Sequence, residues 1–191
     1  MGKKGKVFIV SGPSGVGKGT LCKNVVALCK NIPNLDVSLV VSVTEREPRV
    51  GEVDGVHYHF CSSKEFDDLI ATNGLLEWAT YNGKRYGTPR AEVESDCAAG
   101  KHTILEIEVV GANQILEKMP EAVSVFVVPP DRETLRKRLI QRGTETERQI
   151  EQRLAIAMQE FQQASRYAHV IVNRDLKSAT DELLNIIKGG V

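Results

Sequence analysis

The chain has 191 residues, which is enough for one α/β domain with a sizeable core and too few for two independent domains. Lysine plus arginine and aspartate plus glutamate both total 25, so no overall positive charge favours nucleic acid or an anionic membrane as a partner. The N-terminal MGKKGK is too short and polar for a signal peptide, and no apolar stretch reaches the length of a membrane span. We therefore expect a cytoplasmic protein that binds neither nucleic acid nor membrane, and no obligate protein partner is evident.

Residues 12–20 (GPSGVGKGT) form a glycine-rich loop between a predicted strand and a predicted helix. The preceding run VFIV, residues 7–10, is typical of a buried strand, and helical apolar spacing continues to Cys29. The glycines let successive N–H groups point at one centre, and the helix dipole also attracts an anion there. Lys18 can reach the outer phosphates of a nucleotide. The order of these features predicts a Walker A phosphate site, and an ordinary tight turn is the alternative.

The residue after the lysine departs from the usual Walker A pattern. A serine or threonine whose hydroxyl contacts Mg²⁺ is expected there, but Gly19 takes its place and the hydroxyl comes one residue later, on Thr20. The variant GKGT resembles the loop of adenylate kinases and of some other nucleoside monophosphate kinases. We therefore expect contact with Mg²⁺ to pass through water.

A basic segment follows the second predicted strand, residues 36–43. Arg46 and Arg49 are held apart by Pro48, and glycine turns close the segment before a short strand with alternating aromatic residues, HYHF. These features predict a rigid loop that can clamp a second anion. A solvated, charge-rich hairpin is the alternative.

The rest of the chain alternates between helices and strands. The predicted elements are a serine-capped helix 63–72, a hairpin of strands 75–81 and 84–89 with an Asn82-Gly83 turn, helix 89–99, strand 102–108, helix 111–119, strand 122–128, helix 131–142, a break at 143–147, a helix containing Arg153, strand 169–173 and helix 176–188. This alternation predicts an α/β fold with a mainly parallel sheet, in which a ligand binds at the carboxyl ends of the strands.

Two acidic residues close the strand 102–108. Glu106 and Glu108 follow a run of apolar residues, and a carboxylate at a strand end near a Walker A loop is well placed to orient Mg²⁺ and its waters. A merely solvated strand end is the alternative.

The four cysteines form no CxxC pair and have no histidine at zinc spacing. Cys22 and Cys29, seven residues apart on one helix, are therefore predicted to be small buried hydrophobes.

Three segments resemble the guanylate kinase family of P-loop proteins. The family signature Ser-x-Thr-x-Arg-x-Pro-Arg-x-Gly-Glu, followed by Gly-x-x-Tyr-x-Phe, is matched by Ser42, Thr44, Arg46, Pro48, Arg49, Gly51, Glu52, Gly55, Tyr58 and Phe60. Glu77 precedes Trp-Ala and lies nine residues before Tyr86 of a Tyr-Gly-Thr turn, as in that family. The Arg-rich helix pair with an acidic turn resembles the family's lid, and a charged helical hairpin with paired solvent charges is the alternative.

The chain also departs from the family pattern at several positions. Glu45 stands where a second threonine is common, and Val50 where proline is frequent. The acidic strand end carries Glu106 and Glu108 in place of two aspartates, and Val110 in place of glutamine. Charge is preserved at the acidic positions, but the longer side chains change the contacts that are expected there.

The resemblance implies one domain with a three-layer α/β/α core (1–41, 90–130 and 168–191), a mixed α/β lobe at 42–89 that binds the nucleoside monophosphate, and a helical lid at 131–167. It implies ATP-dependent phosphorylation of GMP, and of dGMP, in purine nucleotide metabolism and GMP recycling, with Mg²⁺ as cofactor. No protein nucleophile is needed, because phosphoryl transfer depends on positioning and charge neutralisation.

The resemblance also implies roles for individual residues. ATP is expected at Gly12, Pro13, Ser14, Gly15, Val16, Gly17, Lys18, Gly19, Thr20, Arg142 and Asn173. GMP is expected at Ser42, Arg46, Arg49, Tyr58, Glu77, Tyr86, Thr88, Glu106 and Glu108. The residues expected to assist transfer are Lys18, Arg46, Arg138, Arg142 and Arg153, and Mg²⁺ is expected at Thr20 and Glu106 through water.

Two alternatives to this function remain at this stage. A guanylate-kinase-like interaction module would bind phosphorylated peptides, but such modules typically lack a working phosphate loop and accompany other domains. A kinase for another nucleoside monophosphate is the nearer alternative.

Overall fold

The computed structural model describes residues 4–81, 83–141 and 146–190. The elements in chain order are β1 (Val7–Ser11), α1 (Lys18–Cys29), β2 (Val37–Leu39), β3 (Val43–Thr44), β4 (His59–Phe60), α2 (Ser63–Ala71), β5 (Leu75–Tyr81), β6 (Lys84–Pro89), α3 (Arg90–Ala98), β7 (His102–Glu106), α4 (Val109–Lys118), β8 (Val123–Val128), α5 (Arg132–Gln141), α6 (Glu147–Phe161), a 3₁₀ turn (Ala164–Arg166), β9 (His169–Val172) and α7 (Leu176–Gly190).

The main sheet has five parallel strands in the order β2-β7-β1-β8-β9. Side chains alternate between its faces, so that Phe8 and Val10 of β1 join a core cluster with α1, α5, α6 and α7. Val7 and Ile9 join a second cluster with α3 and α4 on the other face. The predicted α/β fold with a mainly parallel sheet is therefore confirmed.

The strand order brings the glycine-rich loop to the middle of the main sheet. Parallel strands end at one edge, and β1 lies between β7 and β8, so the loop after β1 is flanked by the residues that follow both neighbours. The chain also changes direction across the sheet here, since β7 lies on one side of β1 and β8 on the other. Open α/β sheets bind their ligands at such a position.

A second, four-stranded sheet has the order β4-β3-β6-β5, and we call it the small sheet. Its β3–β4 pair is parallel, whereas β3–β6 and β5–β6 are antiparallel. Helix α2 covers one face and contributes Phe66 to a cluster with Val43 and Leu75. The small sheet is joined to the main core by α4, whose Lys118 Nζ donates to Leu76 O at 2.6 Å and whose Gln114 Nε2 donates to Trp78 O at 2.8 Å.

Some element boundaries differ from the sequence predictions. The predicted strand 36–43 is two short strands, because the chain leaves the main sheet after Leu39 and enters the small sheet at Val43. Strand 102–108 ends at Glu106, since Glu108 is the N-cap residue of α4. Helix α2 is capped by Ser62, whose hydroxyl accepts from the Glu65 N–H in a capping box.

Other predictions concern the ends of helices and loops. The last helix continues through Gly190 rather than stopping at residue 188. Gly83 has a φ of 74°, as its turn requires, whereas Asn82 lies outside the described residues. The predicted break at 143–147 also falls largely outside them, as does Arg142.

The structure also bears on the cysteines and on membrane spans. Cys22 and Cys29 are buried as predicted. Within the described ranges no helix is both long and apolar enough to cross a bilayer.

Candidate active site

A cleft of about 720 Å³ lies at the carboxyl edge of the main sheet, between the glycine-rich loop and the small sheet. The loop contributes Ser14, Gly15, Gly17, Lys18 and Gly19 to its wall, β7 and the residues after it contribute Glu106 and Glu108, and α6 contributes Arg153. The opposite wall contains Ser42, Arg46, Arg49, Tyr58, Glu77 and Tyr86. Two groups of predicted residues that are far apart in sequence therefore face one cavity.

The glycine-rich loop needs glycine at its tightest positions. Gly12 and Gly17 have φ values of 136° and 97°, which side chains rarely allow. A Cβ at Gly12 would lie 2.3 Å from Val127 O, and one at Gly17 would lie 2.6 Å from Asn173 Nδ2. Gly17 is also the N-cap residue of α1, so the loop delivers the chain to a helix N-terminus.

Lys18 is buried, and its amine lies on the loop's own oxygens. Nζ donates to Gly12 O and to Pro13 O, and it lies 3.5 Å from Glu108 Oε1. The same residue lines the cleft. An ammonium group in this position gives the loop a positive charge beside the N-terminus of α1, and that combination binds phosphate.

Arg138 and Asn173 lie behind the loop rather than in the cleft. Asn173 Nδ2 donates to Val16 O at 2.7 Å, and the Arg138 guanidinium donates to Val16 O at 3.2 Å and to Asn173 O at 2.9 Å. Neither residue lines the cavity. In this structure both support the loop backbone, whereas the sequence resemblance implied that they contact nucleotide.

Among the described arginines that the resemblance assigns to a lid, Arg153 faces the cleft. Its Nη1 donates to Ser14 Oγ at 3.0 Å, and its guanidinium lies 5.8 Å from the centroid of the Tyr81 ring, at the end of β5. A guanidinium within about 6 Å of an aromatic ring is attracted by it. Arg153 therefore connects α6, the glycine-rich loop and the small sheet.

Glu106 lies against Gly19 at the start of α1. Its carboxylate oxygens would be 3.1 and 3.2 Å from a Cβ placed on Gly19, so a larger residue would displace the carboxylate. Thr20 is two residues after Lys18 on α1 and is therefore turned about 200° away from it. Its side chain is exposed and does not line the cleft. The geometry gives no support to the predicted Mg²⁺ contact of Thr20.

Arg46 occupies an aromatic and acidic corner of the opposite wall. Its Nη2 donates to Glu52 Oε1 at 2.9 Å, and its guanidinium lies 5.3 Å from the Tyr58 ring centroid and 5.7 Å from that of Phe60. The Tyr58 and Tyr86 rings are 5.8 Å apart. Glu52 also accepts from the Arg49 N–H at 2.7 Å, so one carboxylate fixes both arginine positions. Sequence reasoning assigned Glu52 no role, although it belongs to the matched signature.

Glu77 lines the cleft and is almost completely buried. Its Oε1 accepts from Thr88 Oγ1 at 2.6 Å, and its Oε2 would lie 2.1 Å from a Cβ on Gly111 of α4. Thr88 does not line the cavity and reaches it only through Glu77. Burial raises the pKa of Glu77 to about 7, although the Thr88 hydrogen bond opposes that rise.

A second carboxyl group with a raised pKa was not predicted. Burial, and next the charge of Glu108, raise the pKa of Glu160 on α6 to about 7. Glu160 is half-buried, and the charge of Lys18 opposes the rise of its pKa. An amphipathic helix contains many such glutamates, so the sequence offered no signal that distinguished this one.

The raised pKa of Glu77 predicts a pH-dependent stability. The folded state keeps the Glu77 proton up to about pH 7, whereas the unfolded chain releases it near pH 4.5. The stabilising contribution is therefore present below about pH 4.5 and is lost as pH rises to about 7. We expect the free energy of unfolding of the wild type, relative to Glu77→Gln, to fall by on the order of 2 kcal/mol across this range.

Urea unfolding of both proteins between pH 4.5 and 8 measures this difference. Other groups that titrate in the same range, including Glu160, are common to both proteins and cancel. A constant difference between the two proteins would contradict the buried, protonated state of Glu77.

The comparisons with known proteins agree on one family. The family model described as guanylate kinase matches residues 4–189. The guanylate kinase of Desulfitobacterium hafniense is 45% identical over 183 residues, which cover 96% of this chain and 89% of the relative. That of Symbiobacterium thermophilum is 48% identical over 184 residues, which cover 96% of this chain and 85% of the relative.

A solved structure extends the likeness to three dimensions. The crystal structure of guanylate kinase from Anaplasma phagocytophilum matches with a TM-score of 0.81 and 31% sequence identity, covering 98% of this chain and 87% of that chain. The match in sequence and the match in structure both run over nearly the whole length. The chain belongs to the guanylate kinase family.

Proposed function

We propose that the chain transfers a phosphoryl group from ATP to GMP, giving ADP and GDP. The observation that carries the proposal is the shared cleft, in which the Lys18 loop faces Arg46 and the buried Glu77. One wall suits the triphosphate of a donor, and the other suits the phosphate and base of an acceptor. Family membership supports the same reaction.

The donor binds at the glycine-rich loop in this proposal. N–H groups at the start of α1 and the Lys18 ammonium neutralise the phosphates, and Glu108 keeps Lys18 directed into the cleft. Arg138 and Asn173 hold the loop from behind through Val16 O. The contact with ATP that the resemblance assigns to Asn173 stays a proposal.

Mg²⁺ is the cofactor we propose, and the site is suited to it. Among the described residues no group of three or more His, Cys, Asp or Glu side chains could hold a metal ion by itself. Mg²⁺ in kinases is bound by one or two carboxylates together with substrate phosphates and water, so a dedicated cage is not required. Glu106, against Gly19, is the residue that would hold it through water. The ion would neutralise charge on the transferred phosphoryl group.

The acceptor phosphate meets donors from the small-sheet side of the cleft. Arg46 and Arg49 offer forked guanidinium groups, and Tyr58 and Tyr86 offer hydroxyls. The base lies deeper, where Glu77 and Ser42 face the cavity and Thr88 holds Glu77. The sugar 2′-hydroxyl has no assigned partner in this scheme, so dGMP is included as an acceptor.

The proposal also includes closure of the segment 131–167 over the two substrates. Arg153 already contacts Ser14 of the loop, and Arg138 and Arg142 belong to the same segment. Lid closure excludes water and brings basic groups to the transferring phosphoryl group. The core (1–41, 90–130 and 168–191), the acceptor lobe (42–89) and the lid are the parts that move in this proposal, and the reaction is proposed to occur in the cytoplasm.

An ADP-release assay with several acceptors tests the function. The protein is incubated with ATP, Mg²⁺ and one of GMP, dGMP, AMP, CMP or UMP, and ADP formation is coupled to NADH oxidation. We expect rapid turnover with GMP and dGMP. Turnover confined to another monophosphate would reassign the substrate, and none with any acceptor would contradict kinase activity.

Arg46→Lys is expected to weaken GMP binding by about 10- to 100-fold, although the charge is kept. Lysine offers a single ammonium group, whereas the guanidinium forks across two phosphate oxygens. Isothermal titration of GMP measures the change. Arg166→Lys, at an exposed arginine outside the cleft, is the matched control. Guanosine binding the wild type as tightly as GMP would contradict a phosphate clamp at Arg46.

A further inference from the structure

An ion pair between Glu45 and Arg85 lies behind the proposed acceptor-phosphate site. Glu45 Oε2 and Arg85 Nη2 are 2.6 Å apart, and the Arg85 N–H donates to Glu45 Oε1 at 3.2 Å. The two side chains are only 10% and 20% exposed. The pairing with Arg85 lowers the pKa of Glu45 to about 2, so the carboxylate is ionised at any physiological pH.

Arg85 of β6 contacts the end of β3 and helix α2, which covers the small sheet. Besides Glu45, its guanidinium donates to Asp67 Oδ1 at 2.5 Å and to Ser63 O at 3.3 Å, both on α2. It also lies 4.8 Å from the centroid of the buried Phe66 ring. Arg85 therefore fixes helix α2 and the end of β3 to strand β6.

This connection matters because β3 is very short. Strands β3 and β6 pair at two positions, Val43 with Gly87 and Thr44 with Tyr86. Two residue pairs fix the register of β3 and β6 only weakly. Side-chain contacts next to these pairs therefore contribute much to fixing the register. The Glu45 carboxylate and the Arg85 backbone extend the pairing by one position, since the Glu45 N–H also donates to Arg85 O at 3.4 Å.

The pair is adjacent in sequence to two cleft residues. Arg46 follows Glu45, and Tyr86 follows Arg85. Consecutive strand residues face opposite sides of a sheet, so Arg85 lies under α2 while Tyr86 lines the cleft. Thr44 completes the connection, because its hydroxyl donates to Arg85 O at 2.8 Å and accepts from the Arg46 N–H at 3.2 Å.

We infer that Glu45 and Arg85 are positioning residues that set the spacing of Arg46 and Tyr86 for the phosphate of the acceptor, without touching it. The inference rests on the proposed function, and it goes beyond that function by assigning part of the acceptor affinity to a pair outside the cleft. A pair that acts this way controls binding of the phosphate group and leaves recognition of the base unchanged.

Glu45→Gln tests the inference with a side chain of the same shape. The amide oxygen can still accept from the Arg85 N–H, but the charge that pairs with the guanidinium is lost. We expect the KM for GMP to rise about tenfold, while kcat and the KM for ATP change less than twofold. The Ki of guanosine, measured as a competitor of GMP, is expected to stay within twofold of the wild type.

The guanosine measurement separates positioning from a general loosening of the small sheet. Loosening would weaken guanosine and GMP alike, and that outcome would overturn the inference, as would an unchanged KM for GMP. Asp68→Asn is the matched control, because it removes another ion pair of α2, with Lys64, that is exposed and remote from Arg46. It is expected to leave all four constants unchanged.

A double-mutant cycle adds a second check. If the two residues act as one pair, Glu45→Gln with Arg85→Met raises the KM for GMP no further than Arg85→Met alone. Additive effects would overturn the inference. If Glu45→Gln does not fold, Arg85→Lys serves instead, since it keeps the charge, loses the fork and is expected to raise the KM for GMP severalfold with an unchanged guanosine Ki.

The proposed function and the inference fail in different ways. A wild-type protein that does not phosphorylate GMP contradicts the function, whatever the variants do. An active wild type whose Glu45→Gln variant has the same KM for GMP contradicts the positioning pair alone.

Discussion

Lys18→Ala is expected to lower kcat about 10²- to 10³-fold, and this is the first of two large effects that follow from the cleft. The Lys18 ammonium donates to Gly12 O and Pro13 O of the glycine-rich loop, and the donor phosphates are proposed to bind this ammonium and the N–H groups at the start of α1. Its charge stabilises the leaving oxygen more strongly in the transition state than in the ground state, so kcat is affected more than the KM for ATP. Alanine leaves that developing charge without a cation.

Steady-state kinetics with ATP and GMP measure the loss, and circular dichroism establishes that the variant is folded. Lys177→Ala is the control, since Lys177 is an exposed residue of α7 that pairs only with Asp181 among the described contacts. Full turnover in Lys18→Ala would remove the loop lysine from catalysis and with it the proposed donor site.

Glu77→Gln is expected to lower kcat/KM for GMP by about 10²- to 10⁴-fold. Guanine presents two donors on one edge, the N1–H and the N2 amine, and a carboxylate accepts both. An amide can present a donor where guanine also has one. Because Glu77 is buried and already holds Thr88, the rest of the pocket offers little room for the amide to turn away.

The same chemistry predicts selectivity against AMP. Adenine has an acceptor at N1, so above about pH 7, where Glu77 is ionised, the carboxylate faces a lone pair instead of a donor, and the polar groups of the pocket are left unpaired. Such mismatches reduce efficiency by roughly 10⁴- to 10⁵-fold. Measuring kcat/KM for GMP and AMP in the wild type and in Glu77→Gln decides the matter, because wild-type efficiency and preference in the variant would exclude Glu77 from base recognition.

The proton on Glu77 also affects guanine binding. Guanine donors stabilise the ionised carboxylate, so binding of the base has to remove the proton that Glu77 holds up to about pH 7. Guanosine affinity is therefore expected to rise between pH 6 and 8 in the wild type and to stay flat in Glu77→Gln. Guanosine is used because the phosphate of GMP itself titrates near pH 6.

Local sequence signals were sufficient for the phosphate loop and for most elements. A buried strand, glycines at positive φ and a following helix are determined by neighbouring residues, and the structure has all three between Val7 and Cys29. The hairpin of β5 and β6 was likewise predictable from its turn and its flanking strands. Its long antiparallel pairing gives a strong local pattern, whereas β2 and β3 contain only three and two residues and were predicted as one strand.

Contacts between distant segments could not be predicted. Nothing near Arg138 in sequence indicates that it binds Val16 O, which is 122 residues away along the chain. The direction of the Thr20 side chain depends on where α1 starts. The raised pKa of Glu160 depends on its burial and on the charge of Glu108, which is far from it in sequence. The role of Glu45 has the same origin, because it lies 40 residues from Arg85 and was noted only as a departure from the family pattern.

The separate core of the small sheet has a consequence for local unfolding. Its described buried cluster consists of Val43, Phe66 and Leu75, so little apolar surface resists its opening compared with the two clusters of the main sheet. Amides of β3 and β6 should therefore exchange with deuterium through an opening of lower free energy than amides of β1. A ligand that binds only the closed form raises the free energy of opening the small sheet in proportion to the logarithm of the ligand concentration. The concentration of the acceptor nucleotide therefore affects how well this segment resists proteases.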